Sequence, residues 1–155
     1  MFSRLIPVMD AYGKPYEVIF VNDGSKDSSQ QVLENLFNQR PDVIRVVQFM
    51  RNYGQHPAIM AGFENVRGEV VVTLDCDLQN PPEDIPKMLA LIEQGHDVVG
   101  GYRGNRQDLT WRKAVSKFSN IVRKKITNID MRDHGCMLRA YKRSIIDQIV
   151  EIGDA

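Results

Sequence analysis

A chain of 155 residues of which 43% are hydrophobic can bury one core, so we expect one domain over residues 1–155. Its longest apolar runs fall far short of the roughly 20 residues that cross a bilayer, which favours a soluble domain. The two cysteines, Cys76 and Cys136, lack CxxC spacing. This argues against a zinc site or a disulfide framework and favours a reducing, cytoplasmic setting.

The charges sum to zero but are unevenly distributed. Residues 1–100 carry a net charge of −6, whereas residues 101–143 carry +9. The basic part predicts an anionic partner, although a solvated basic helix face would give the same pattern. We do not expect nucleic acid as that partner, because the basic residues are not interleaved with aromatic residues as single-strand binding requires.

Continuous apolar runs alternate with segments of helical period, which is typical of an α/β fold with a mostly parallel sheet flanked by helices. The predicted elements, in chain order, are a helix at 3–12, a strand at 17–22, a helix from 28, a strand at 45–50, a helix ending at 66, a strand at 69–74, a helix ending at 95, a strand at 97–101, a helix at 111–126, a strand at 136–141 and a helix at 142–151. The helix at 111–126 is basic and amphipathic, as a surface helix or a membrane-facing helix would be.

Two aspartates follow the most β-branched strand. In extended chain, the carboxylates of Asp75 and Asp77 would point to the same side while Cys76 turns into the core. Such a pair suits a hard cation, so we expect Mg²⁺ or Mn²⁺ there, although two solvated aspartates at a strand end are also common. The site would lie at the carboxyl edge of the sheet, where open α/β sheets bind ligands.

Asp23 ends an earlier strand in the same way, which predicts that it shares one rim with Asp75 and Asp77. Like charges crowded together need a cation or hydrogen-bond donors to compensate them. The alternative is a simple turn at residues 23–25, with Asp27 or Ser28 capping the next helix.

Several ordered motifs together resemble the family-two glycosyltransferases with the GT-A fold, specifically the polyprenyl-phosphate glycosyltransferases. The motifs are VNDGS at 21–25, TLDCDLQNPP at 73–82, GYR at 101–103, and Asp133 followed by Arg139 and Arg143. The likeness covers roughly residues 16–150. The family's first strand has no counterpart before Tyr16, so we expect an internal piece of a longer protein that lacks that strand.

The resemblance implies inverting transfer of a sugar from a nucleotide diphosphate, with UDP as the expected nucleotide, to a polyprenyl phosphate at the inner face of the cell membrane. It implies nucleotide contacts by Asn22, Asp23, Asn52, Asp75 and Arg103. It also implies metal binding by Asp75 and Asp77, and active-site roles for Asp77, Asp133 and Arg139. Asn22 stands where the family often has aspartate.

Three alternatives stay open at this point. The chain could bind nucleotides without turnover, or the acceptor could be a saccharide hydroxyl with Asp133 as general base. A phosphotransfer or hydrolase domain with Asp75 as nucleophile is disfavoured, because no Ser or Thr follows closely. An unpaired strand edge where the first strand is missing would favour a homo-oligomer.

Overall fold

A computed structural model describes residues 1–101 and 136–153. The described helices are α1 (Phe2–Tyr12), α2 (Ser29–Gln39), α3 (Gln55–Glu64), α4 (Ile85–Glu93) and α5 (Arg143–Gly153). The described strands are β1 (Val18–Asn22), β2 (Ile44–Gln48), β3 (Val70–Thr73), β4 (Val98–Gly100) and β5 (Arg139–Lys142). The chain divides into two compact units, residues 1–8 with 72–141 and residues 9–71 with 142–155.

The unit containing residues 9–71 is built on a βαβ crossover. Strands β1 and β2 pair in parallel, with Val18 opposite Ile44 and Asn22 opposite Gln48. Parallel neighbours need a long connection, and α2 provides it while packing against both strands. Their runs of Val and Ile favour the extended backbone. Ile44 is fully buried at the start of β2.

Helices α3 and α5 pack against each other in the same unit. Phe63 of α3 and Ile146 of α5 are buried. At the end of α5, Gly153 lies so close to Met60 that an added Cβ would be 2.8 Å from the Met60 methyl carbon. The predicted closing helix is therefore confirmed as an amphipathic helix with one buried face.

A set of hydrogen bonds fixes the connection between α3 and β3. The Arg45 guanidinium donates to the Glu17 carboxylate (3.1 Å) and to the carbonyl oxygen of Asn65 (2.6 Å). The second Glu17 oxygen accepts from the Arg67 amide (2.7 Å). The Arg143 guanidinium donates to the Val66 carbonyl oxygen (2.9 Å). Side chains thus form hydrogen bonds with backbone groups of residues 65–67, which lie between α3 and β3, outside the regular hydrogen-bond pattern of either element.

A second sheet has the strand order β3–β5–β4. Strand β5 is antiparallel to β4, with Gly100 opposite Arg139. After β3 the chain turns and enters a short 3-10 helix, Pro82–Asp84, which leads directly into α4. The apolar face of α4 is buried, as its helical spacing predicts; the buried residues are Ile85, Met88, Leu89 and Ile92.

The α/β class is confirmed, and the described elements lie within a few residues of their predicted positions. The last strand differs: it begins at Arg139 rather than at Cys136. Residues 136–138 form hydrogen bonds with loops instead of continuing the ladder. The predicted helix at 111–126 lies outside the described residues. The prediction of one domain over residues 1–155 stays a prediction.

Candidate functional site

The end of β1 is held by the side chain of Asn22, which is only 4% exposed. Its amide nitrogen donates to the Gln48 side-chain oxygen (2.8 Å), and its amide oxygen accepts from the Ser25 backbone (3.0 Å). A single side chain therefore joins the ends of two parallel strands and closes the turn that follows β1. Both polar atoms of Asn22 are used inside the chain.

Asp23 joins this turn to the loop between β2 and α3. One carboxylate oxygen accepts from the Tyr53 amide (2.7 Å) and the other from the Gly54 amide (2.8 Å). We call this arrangement the Asp23 clamp. Hydrogen bonds to an ionised carboxylate are stronger than those between neutral groups, so the clamp fixes both loops. Asp23 was predicted as a site residue, but its bonds to the amides of Tyr53 and Gly54 were not.

Gly24 allows the two loops to touch. Its φ is +66°, and a Cβ built on it would lie 2.2 Å from the backbone carbonyl carbon of Arg51. Only glycine fits that space and adopts that conformation without strain. Residues 23–25 thus redirect the chain after β1, and Asp27 accepts a hydrogen bond from the Ser29 amide at the start of α2 (3.0 Å). The binding role of Asp23 stays a prediction.

Residues 49–54, which we call the aromatic loop, bring together two aromatic rings and a guanidinium; residues 50–53 are exposed and Phe49 is half-buried. The rings of Phe49 and Tyr53 meet edge to face with centroids 5.5 Å apart. The Arg51 guanidinium lies 4.9 Å from the centroid of the Tyr53 ring, within cation–π range. Asn52, the residue between Arg51 and Tyr53 in the sequence, is exposed. The loop follows the carboxyl end of β2, which is a common place for ligands.

The Asp75–Asp77 motif turns at residues 76 and 77, so the predicted extended backbone with Cys76 in the core is wrong. Strand β3 ends at Thr73, and Leu78 adopts a left-handed backbone with φ 62°. Cys76 is exposed and does not enter the core. The reason is local: an Asp77 carboxylate oxygen accepts from the Gln79 amide (3.0 Å), which stabilises a tight Asx turn. We call residues 75–78 the acidic turn.

The acidic turn still contains two carboxylates, the ligand type that hard cations bind. Asp77 is exposed and Asp75 is half-buried, so both acidic residues reach the surface. Partial desolvation raises the pKa of the Cys76 thiol, the positive amino terminus lowers it, and the neighbouring charges of Asp75 and Asp77 raise it. Within residues 1–101 and 136–153, no group of three or more His, Cys, Asp or Glu side chains could hold a metal ion.

Residues 136 and 137 bond to the two ends of the loop that contains the acidic turn. The Thr73 hydroxyl donates to the carbonyl oxygen of Met137 (2.6 Å), and the Cys136 thiol donates to the Asn80 side-chain oxygen (3.2 Å). The Gly101 amide donates to the Leu138 carbonyl oxygen (2.8 Å). None of Thr73, Asn80 and Cys136 was predicted as a site residue. Asn80 gave no signal of burial, because a polar residue before two prolines usually marks an exposed turn.

The predicted residue Arg139 lies at the start of β5, half-buried. Its Nε donates to the Cys136 carbonyl oxygen (3.0 Å), which orients the guanidinium.

Arg103 and Asp133 lie outside the described residues. Asp23 and the acidic turn belong to different units, so their predicted common rim stays a prediction. In the described part of the chain, no helix is long and apolar enough to span a membrane.

Comparison with known proteins places these motifs in a family. The family model described as "Glycosyl transferase family 2" matches residues 5–150. A protein of Pseudomonas savastanoi pv. phaseolicola is 51% identical over 135 residues, covering 87% of this chain and 40% of that protein. Proteins of Shewanella sediminis and Proteus mirabilis are 45% and 48% identical over 151 residues, covering 97% of this chain and 46% of each.

All three relatives carry the name undecaprenyl-phosphate 4-deoxy-4-formamido-L-arabinose transferase. Segments 51–56 and 135–141 of this chain predict a likeness to that transferase, and the comparison confirms it. The chain spans less than half the length of these relatives.

Proposed function

This chain belongs to glycosyl transferase family 2, and on that premise we propose that it is part of an enzyme that transfers a sugar to a polyprenyl phosphate. The relatives' name states an undecaprenyl-phosphate acceptor for them. The donor would be a nucleotide-diphosphate sugar, with UDP as the expected nucleotide. The observation that carries the proposal is the acidic turn directly after β3, in a chain that matches this family over residues 5–150.

The aromatic loop supports a nucleotide site. The Asp23 clamp holds the loop's backbone, so the Arg51 guanidinium, the Asn52 amide and the Tyr53 ring are presented in a fixed arrangement. A guanidinium can pair with phosphate oxygens, an amide can bond a base or ribose, and a ring can stack. Asp23 and Asn22 then act on the nucleotide mainly through the loops that they hold.

The acidic turn fits Mg²⁺ or Mn²⁺ that keeps open positions for other ligands. Two carboxylates without further protein ligands among the described residues suit a cation that retains waters and binds substrate phosphates. When bound, the cation would neutralise charge that develops on the departing diphosphate. Asp75 and Asp77 would hold it, and Arg103 would add a positive charge near the same phosphates.

The proposed reaction is a single displacement with inversion. An oxygen of the lipid phosphate forms a bond to the anomeric carbon as the bond from that carbon to the nucleoside diphosphate breaks. A lipid phosphate is already anionic, so no side chain has to remove a proton. Asp133 would therefore position groups, whereas a saccharide hydroxyl acceptor would need it as a general base. Arg139, oriented through its Nε, would bind the acceptor phosphate.

The basic segment supports a location at an anionic membrane surface. Residues 101–143 carry a net charge of +9, and each basic residue near such a surface contributes about 1 kcal/mol. We therefore propose that the whole protein works at the cytoplasmic face of the membrane, where its lipid acceptor lies. Association into a homo-oligomer through a strand edge belongs to the same proposal and is tested by light scattering.

The experiment that tests this function is an acceptor comparison with the whole protein. Label from a panel of UDP-sugars is followed into an organic extract that contains polyprenyl phosphate, and into a water-soluble fraction that contains a neutral saccharide. Transfer to the lipid phosphate alone supports the proposal. Equal transfer to the saccharide would make the acceptor class wrong, and binding of UDP without any transfer would favour a nucleotide-binding role.

A further inference from the structure

Asn80 is a buried amide in the loop between the acidic turn and the short 3-10 helix. It is 3% exposed, and its side-chain oxygen accepts a hydrogen bond from the thiol of Cys136, which is 1% exposed. The two residues lie 56 positions apart in the sequence. A buried polar pair of this kind specifies one arrangement of the chain, because alternatives leave both groups unbonded.

The same amide carries an unsatisfied group. Within the described residues, Asn80 Nδ2 is a buried side-chain nitrogen with no hydrogen-bond acceptor. An apolar residue would fill this position without an unpaired donor. The amide is therefore unfavourable for packing alone, which indicates that the bond from Cys136 to its oxygen has a further use.

Residues 136 and 137 hold the loop that contains the acidic turn. The loop of residues 74–79 is bonded at both of its ends to two consecutive residues: Thr73 binds Met137 at one end and Asn80 binds Cys136 at the other. The anchoring segment is itself fixed, because the Gly101 amide bonds Leu138. Holding both ends of a six-residue loop in place restricts the conformations open to the turn between them.

We propose that Asn80 and Cys136 are positioning residues that hold the acidic turn in the conformation in which Asp75 and Asp77 bind the metal ion. This inference rests on the proposed function, since it assigns the turn its ligand. We call the bond between the two residues the Asn80–Cys136 latch. Neither residue touches the reacting atoms; both act through the backbone of the turn.

The test uses matched substitutions at Cys136. Cys136→Ala removes the hydrogen-bond donor, whereas Cys136→Ser restores one of similar size. Ile146→Val, in a fully buried position of the other unit, serves as a control for general loss of stability. Two properties are measured on each purified chain: amide hydrogen exchange in the peptide that covers residues 75–81, and the affinity for Mn²⁺ in the presence of UDP.

With Cys136→Ala, exchange in that peptide should rise about five- to tenfold, the effect of losing one hydrogen bond, and Mn²⁺ affinity should fall by a similar factor. Cys136→Ser should stay close to the unsubstituted chain in both. Ile146→Val should melt earlier with both properties unchanged. If Cys136→Ala does not fold, Asn80→Leu removes the acceptor while filling the space, and the same two changes are expected.

Unchanged exchange and affinity in Cys136→Ala, or a Cys136→Ser variant as impaired as Cys136→Ala, would overturn the proposal. Faster exchange with unchanged Mn²⁺ affinity would also overturn it, because the latch would then order the turn without serving the metal. If the unsubstituted chain binds no Mn²⁺ with UDP, the proposed metal site fails together with the positioning role, and the exchange measurement alone shows whether the latch orders the turn.

Discussion

Asp23 binds the backbone of Tyr53, with 2.7 Å between its carboxylate oxygen and the Tyr53 amide nitrogen. Its second oxygen accepts from the next amide in the chain, that of Gly54. A residue at the end of one strand thereby determines the conformation of the loop after the neighbouring strand. The proposed nucleotide contacts of Arg51 and Asn52 depend on this relationship.

Asp23→Ala should lower the free energy of unfolding by about 2 kcal/mol, because two backbone amides lose a charged acceptor at a partly buried position. Urea denaturation measures the change. Asp27→Ala is the control, since the Asp27 carboxylate accepts from one backbone amide in an exposed turn, and its loss should be smaller. Equal losses in the two variants would show that the Asp23 clamp does not stabilise the loops.

Gly24→Ala should destabilise the chain by about 3 kcal/mol or more, because the new methyl group would overlap the Arg51 backbone and the residue would keep a positive φ. Gly13→Ala separates the two causes. Gly13 also has a positive φ, +75°, but nothing lies within 4 Å of its Cβ position. Its loss should be about 1 kcal/mol, from backbone strain alone. Thermal or urea unfolding of both variants checks the difference.

Arg40→Gln should reduce the fall in melting temperature that the chain shows as the pH is lowered into the acid range. Hydrogen bonds from Arg40 and then from Tyr16 lower the pKa of Asp10, and the bond from Arg40 also lowers the pKa of Asp42. A carboxylate with a lowered pKa in the folded state stabilises the fold above its unfolded pKa of about 4 and loses that contribution as the pH falls. The melting temperature, followed from neutral pH downward, measures the slope.

The effect of Arg40→Gln should be small and should weaken further in high salt, because all three side chains are solvent-accessible. A slope below pH 4 that does not differ between the variant and the unsubstituted chain would mean that other carboxylates control acid unfolding. Glu83, whose pKa is lowered by its hydrogen bond from Arg4, is the next group to test.

Arg139→Ala in the whole protein should raise KM for polyprenyl phosphate about tenfold or more, as the loss of a charged hydrogen bond implies, with little change in KM for the nucleotide sugar. Arg139→Lys is the matched control. It keeps the charge but loses the planar fork and the Nε bond to Cys136, so an intermediate KM is expected. Equal increases in both KM values would remove Arg139 from the acceptor site.

Much of the fold could be predicted from local sequence patterns. Strands β1 and β3 could be located from their runs of Val and Ile, and α4 from its helical spacing of apolar residues. These patterns are local, because an element that packs on a core must place apolar side chains at its own structural period. The turn at residues 23–25 was predicted as well, since Asp and Gly stabilise turns through their own side-chain and backbone properties.

Other features depend on contacts between distant residues and have no local signal. The Asp23 clamp joins residues 30 and 31 positions apart, and buried Asn80 bonds to Cys136, 56 positions away. The acidic turn is different, because its cause is local: Asp77 accepts from the Gln79 amide. It was predicted as extended chain because leucine does not signal the left-handed backbone that Leu78 adopts. The late start of β5 depends on distant contacts, since Cys136 donates to Asn80 and Met137 accepts from the side chain of Thr73.

The measurement that tests the proposed function most directly is calorimetric binding of UDP with Mn²⁺ and, separately, with a chelator, to the unsubstituted chain and to Asp77→Asn. Asp84→Asn is the control, because it removes an equal charge from the same unit outside the acidic turn. We predict binding that needs Mn²⁺, is retained by Asp84→Asn and is weakened at least tenfold by Asp77→Asn, which folds normally. Equal UDP affinity with Mn²⁺ and with the chelator would contradict a metal site at the acidic turn.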